Sequence, residues 1–161
     1  MLRFLLLLLM MVETAAAQTV DAFFKDTFDQ MVAADPEYAT AIGRHQRDDR
    51  WTDWSKPARD RRKAFLQERL HTLNGFPAAD LSPENRLTAR LIQYDFQSRL
   101  DAWELETHLL RMGQLFGFHN RVYTIVDRMP ARTVHDYENL IARLNAIPGF
   151  VDQNLAIFDE A

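Results

Sequence analysis

The chain has 161 residues, a formal net charge of −4 at pH 7 and no cysteine. That mildly acidic balance gives no electrostatic case for nucleic acid or an anionic lipid surface. The missing cysteines exclude disulfides, c-type haem attachment and thiolate metal sites.

Residues 1–17 read as an export signal. Arg3 is the positive start, Phe4 to Val12 is an unbroken apolar run, and Ala15-Ala16-Ala17 offers small side chains for cleavage before Gln18. The run is far shorter than the roughly 20 residues a membrane-crossing helix needs, so no stable anchor is expected. The product is then periplasmic or secreted, with residues 18–161 as a single domain.

Glycine is scarce and good helix formers are plentiful, so helix is the expected state. The first helix is predicted from Val20 to Ala34, with Phe23, Phe24, Met31 and Val32 near one face and Asp35-Pro36 as its stop. A short turn or helix runs from Glu37 to Ile42 and ends at Gly43. Residues 44–54 show neither helical nor strand period and read as a polar loop. Ser55 is the N-cap expected for the next helix, with Pro57 in its first turn and Phe65, Leu66, Leu70 and Leu73 as its buried stripe.

Ser82-Pro83-Glu84 is the clearest start signal in the chain: an N-cap, then proline, then an acid. Leu87, Leu91 and Tyr94 form one stripe of that helix, and Ile92, Phe96, Leu100 and Trp103 a second beside it. Two stripes predict a central helix with neighbours on both sides. With no breaker before Gly113, its expected length is about 35–45 Å. Gly113 to Met129 reads as a short helix or an extended piece closed by Pro130.

Thr133 to Asp136 resembles a capping box with Asp in place of Glu, and opens a helix expected to bury Tyr137, Leu140, Ile141 and Leu144. Pro148 interrupts it before a last segment with Val151, Leu155 and Phe158 on one face. Asp159 and Glu160 lie where a helix dipole disfavours anions, and no cap follows. Such an ending raises the expectation of a helix in progress and a chain that is the front part of a longer one. Short connections point to an all-α antiparallel bundle with one long central helix.

The chain has no HExxH, no CxxC and no pair of ExxH motifs. Glu104 and His108 share a helix face, but two ligands do not hold zinc. His45 with Asp48, Asp49 and Asp53 is the densest polar cluster. It could meet a cation or a substrate amine, yet it lacks EF-hand spacing. The favoured account is a loop held by Arg–Asp pairs over Trp51 and Trp54. Gln114 and His119 lie in the glycine-containing break after the long helix, where breaks often line clefts. The basic run Arg59 to Lys63 is read as a solvated helix face. No catalytic or metal-ligating set is assigned.

Three blocks together resemble the bacterial domain of unknown function (DUF) 885 family. The first is Asp35-Pro36-Glu37-Tyr38-Ala39-Thr40-Ala41-Ile42-Gly43-Arg44-His45 with Asp48-Asp49 and Ser55, and the second is Leu81-Ser82-Pro83-Glu84-Asn85-Arg86-Leu87. The third and most specific runs from Met129-Pro130-Ala131-Arg132-Thr133-Val134-His135-Asp136-Tyr137-Glu138-Asn139-Leu140 through Ala142-Arg143-Leu144 to Ala146-Ile147-Pro148. The resemblance covers nearly the whole chain after the signal and is to the family's N-terminal portion. It implies part of a larger α-helical zinc metallopeptidase of the gluzincin type, with an HExxH helix far downstream. There the two histidines would bind zinc and the glutamate would activate water.

No zinc ligand maps onto this chain, so no cofactor is expected in it; zinc belongs only to the longer family proteins. The partner implied is a C-terminal catalytic half, with peptide as substrate only for the full-length protein. His45, Asp48, Gln114 and His119 stand as candidate substrate-cleft residues. The alternative is a complete small periplasmic helical binding module without catalysis.

Overall fold

The computed structural model describes residues 19–110, 112–115 and 117–160; the segment read as an export signal, residues 1–17, lies outside them. Among the described residues there are seven α-helices and no strand. They are α1 (Val20–Ala34), α2 (Pro36–Ala41), α3 (Lys56–Asn74), α4 (Pro83–Glu104), α5 (Phe118–Val126), α6 (Val134–Asn145) and α7 (Ile147–Phe158). None is long and apolar enough to cross a membrane.

Local chemistry sets most of the helix starts. Thr19 caps α1, Asp35 caps α2 through the Tyr38 N–H, and the Ser82 hydroxyl accepts from the Asn85 N–H at 3.1 Å. The Thr133–Asp136 capping box is closed in both directions. Ser55 stands at the N-cap of α3 as expected, but its hydroxyl makes no capping bond. Gly43, with φ of 80°, turns the chain out of α2 into the loop.

Two apolar clusters hold the helices. Leu66 and Leu70 of α3 and Phe96 of α4 form one, joined by Met31 of α1 and by Phe65, Ile92 and Leu100. Lys63 near the start of α3 pairs with Glu104 at the end of α4 at 2.9 Å, which makes the two helices antiparallel. The other cluster gathers Trp51 from the loop, Phe118 and Ile125 from α5 and Phe150 from α7. Trp51 stacks on Phe150 with ring centroids 4.8 Å apart.

Four expectations are corrected. First, α4 stops at Glu104, so it spans about 33 Å at 1.5 Å per residue and does not reach Gly113. Glu106 takes a left-handed conformation (φ 54°), and the Ala102 and Trp103 carbonyls are taken by the Thr107 hydroxyl and the Glu106 N–H. This is a Schellman-like ending without the usual glycine.

Second, only one of the two α4 stripes is packed. Phe96 is buried and Ile92, Leu100 and Trp103 are partly so, whereas Leu87, Leu91 and Tyr94 are exposed.

Third, α6 is turned over. Tyr137, Ile141 and Leu144 are exposed, and it is Arg143 that is fully buried. The helix lies on the face carrying Asp136, Asn139, Leu140 and Arg143.

Fourth, the basic run on α3 is no plain solvated face. Arg59 is 3% exposed and reaches Glu160 at 2.6 and 2.5 Å. α7 ends at Phe158, so the late anion Glu160 serves as the partner of a buried guanidinium.

Candidate functional site

The loop between α2 and α3 is fastened at both ends to distant parts of the chain. Asp48, 2% exposed, accepts from the Thr40 hydroxyl of α2, and that hydroxyl in turn accepts from Arg143 Nη1 at 2.9 Å. Arg143 Nη2 donates to the Arg47 carbonyl at 2.9 Å and Nε to the Arg50 carbonyl at 3.0 Å. Its guanidinium lies 3.8 Å from the Asp48 carboxylate and over the Trp51 ring. Trp51 Nε1 donates back to the Arg143 carbonyl at 2.8 Å. One arginine therefore fills its planar fork with two loop carbonyls and a hydroxyl of α2, a use for which lysine has the wrong geometry. Burial pulls the Arg143 pKa down, and the charges of Asp48, Glu37 and Asp49 hold it up.

A second clasp joins Thr52 to Glu37 in the first turn of α2. The Thr52 N–H donates to Glu37 Oε2 at 2.9 Å, and the Thr52 hydroxyl donates to the same oxygen. Both residues are buried. At the loop's end, the Trp54 N–H donates to the Gln153 side chain of α7 at 2.8 Å.

Burial raises the Glu37 pKa above its usual value of 4.5, opposed by the Thr52 hydrogen bond and reinforced by Asp35. An acid whose folded pKa is raised contributes most below its unfolded pKa, and its contribution falls as pH climbs through the folded value. Glu37→Gln keeps an acceptor for Thr52 without the charge. Its stability relative to the parent should therefore improve as pH rises above the ordinary carboxylate pKa of 4.5 and level off past the raised folded value, in urea titrations at a series of pH values; a difference flat in pH would contradict this account.

The four candidate residues are not brought together. His45 Nδ1 meets Asp48 Oδ2 at 2.8 Å, so these two form one pair at the loop's start. Asp48 is consumed by that pair and by Thr40. Gln114 is exposed, with its carbonyl accepting from Asn120 at 3.0 Å. His119 is exposed and edge-on to Phe118. Its ring crowds Gly117, where an added Cβ would lie 2.4 Å from the ring and 2.8 Å from the Gly113 carbonyl, so only glycine fits there.

A cleft of about 900 Å³ lies beside the loop, and none of the four lines it. Its walls come from the end of α1, residues 50–54, α3, the end of α4 and the turn at His108. All three tryptophans of the chain, Trp51, Trp54 and Trp103, face it. Arg62 lies over the Trp54 ring at 4.6 Å and donates Nη2 to the Asp53 carbonyl at 2.7 Å. Burial lowers the Arg62 pKa, against Asp35 and Asp53. His108 stacks on Trp103 at 4.9 Å, and burial, then Arg59, lowers its pKa, so the imidazole is neutral at pH 7.

No three His, Cys, Asp or Glu side chains among the described residues come close enough to hold a metal ion. Glu104 turns to Lys63 while His108 turns to Trp103, so the helix-face pair is split. The single ExxH of the chain, Glu68 and His71, has its glutamate beside Arg69 at 3.1 Å. The described residues thus do not fit a zinc site.

Sequence reasoning missed Arg143, Glu37 and Thr52. The only local hint was an arginine set between the apolar residues Ile141 and Leu144. Their partners lie far away in the chain, where periodicity carries no information. A family model described as a bacterial protein of unknown function, DUF885, matches residues 36–161. No match to the chain is found among curated proteins.

Proposed function

Because the chain belongs to the DUF885 family, we propose that it serves as the helical framework of an exported zinc peptidase whose chemistry is supplied by a further, HExxH-bearing part. The observation that carries this reading is the pair of open apolar faces, Leu87, Leu91 and Tyr94 on α4 and Val134, Tyr137 and Ile141 on α6. Apolar residues at helical spacing on two amphipathic helices suit further helices packed against them. The buried Arg143 and Glu37 clasps support it too, since they make the loop a rigid wall, as a framework requires.

A stand-alone binding module is the second reading, and the tryptophan-lined cleft favours it. The two separate in one experiment. The chain and the HExxH-bearing remainder of a family protein are produced as two polypeptides, mixed with zinc and assayed on a peptide mixture. Co-elution, with hydrolysis only in the mixture, is the expected result. Hydrolysis by the chain alone, or no association of the two, would overturn the framework reading.

A further inference from the structure

We propose that the cleft beside the clamped loop binds an apolar or aromatic carboxylate, with the tryptophans taking its body and arginines its charge. The inference stands apart from the framework reading, because the cleft includes none of the exposed α4 and α6 residues that carry that reading. A volume of about 900 Å³ is within the range of small-molecule sites. Trp54 and Trp103 are partly exposed in its wall, and flat π-faces favour flat apolar ligands.

Charge selects the other half of the ligand. Arg47, Arg50, Arg61, Arg62 and Arg99 line the cleft against two carboxylates, Asp35 and Asp53. Arg50 and Arg99 are engaged by Asp49 and Asp95, and Arg61 lies 3.7 Å from Asp53. The Arg47 guanidinium has no side-chain partner among the described residues, and Arg62 Nη1, itself a buried atom, makes no hydrogen bond. Asp35 Oδ1 accepts from the Tyr38 N–H at 2.9 Å. His108 brings no charge at pH 7. Spare donors on planar guanidiniums match a carboxylate, which they can grip through two hydrogen bonds.

Tryptophan fluorescence reads the site directly, since every tryptophan faces the cleft. The whole chain is titrated with N-acetyl-phenylalanine, with its neutral amide and with acetate. The carboxylate should give a saturable change at least about tenfold tighter than the amide, and acetate none. Arg62→Gln should bring the carboxylate down to the amide's affinity. Arg47→Gln, at an exposed position that leaves the fold intact, should weaken the carboxylate alone. Equal binding of carboxylate and amide, no saturable change, or both variants binding as the parent does would overturn the proposal.

Discussion

Arg143→Met should destabilise the protein by about 3–5 kcal/mol, the usual loss when one partner of a buried charged network is removed. The side chain is 0% exposed, and methionine fills much of its volume without donating a hydrogen bond. The variant leaves three acceptors bare: the Arg47 and Arg50 carbonyls and the Thr40 hydroxyl. It also leaves the Asp48 carboxylate buried without its nearest guanidinium. Arg143→Lys should recover only part of the loss, because a single ammonium cannot meet acceptors on both edges of the fork. Asp48→Asn added to Arg143→Met should cost less than the sum of the two single changes, since the charge left stranded by one is removed by the other. Urea unfolding of the four variants measures all of this. A loss under about 1 kcal/mol for Arg143→Met would mean that the knot is ornamental, as exposed ion pairs often are.

What the sequence made legible was whatever depends on a few neighbouring residues. Ser82-Pro83 and Thr133–Asp136 announced α4 and α6 because a cap is a contact over three residues. Asp35-Pro36 ended α1 for a similar reason. The all-α class followed from the same local preferences. Burial was less legible. Periodicity shows that a helix has an apolar face, but not whether that face is packed within this chain. On α3 the apolar stripe is the buried one; on α6 the packed side is the one carrying Arg143. The loop's fastening was out of reach because Trp51 and Arg143 are 92 positions apart. The histidine, aspartate and tryptophan content of residues 44–54 did point to the right segment. It grouped His45 with Asp48, Asp49 and Asp53 and expected Arg–Asp pairs to hold the loop, whereas most of the fastening runs from Arg143 to backbone carbonyls and from Glu37 to Thr52.

The open faces of α4 and α6 lead to the second large effect. Leu91 is 60% exposed and Ile141 57% exposed, so neither contributes much to the chain's own core. Leu91→Lys with Ile141→Lys should therefore leave the urea midpoint almost unchanged, within about 0.5 kcal/mol. Association is another matter. If these faces dock onto further helices, each lysine removes about 1.5–3 kcal/mol of apolar burial from the docked state. The pair should then weaken binding of an HExxH-bearing partner polypeptide by more than about a hundredfold. The parent chain alone should bind an apolar dye and gain mass with concentration in analytical ultracentrifugation, and the double variant should do neither. Substituting Gln97 and Gln93, polar positions on the same helix, provides the comparison that separates a specific face from general stickiness. A parent chain that stays monomeric and dye-silent at every concentration would remove the case for a docked partner. The cleft, whose walls lie at the other end of α4 and along α3, would then be the better guide to what this protein does.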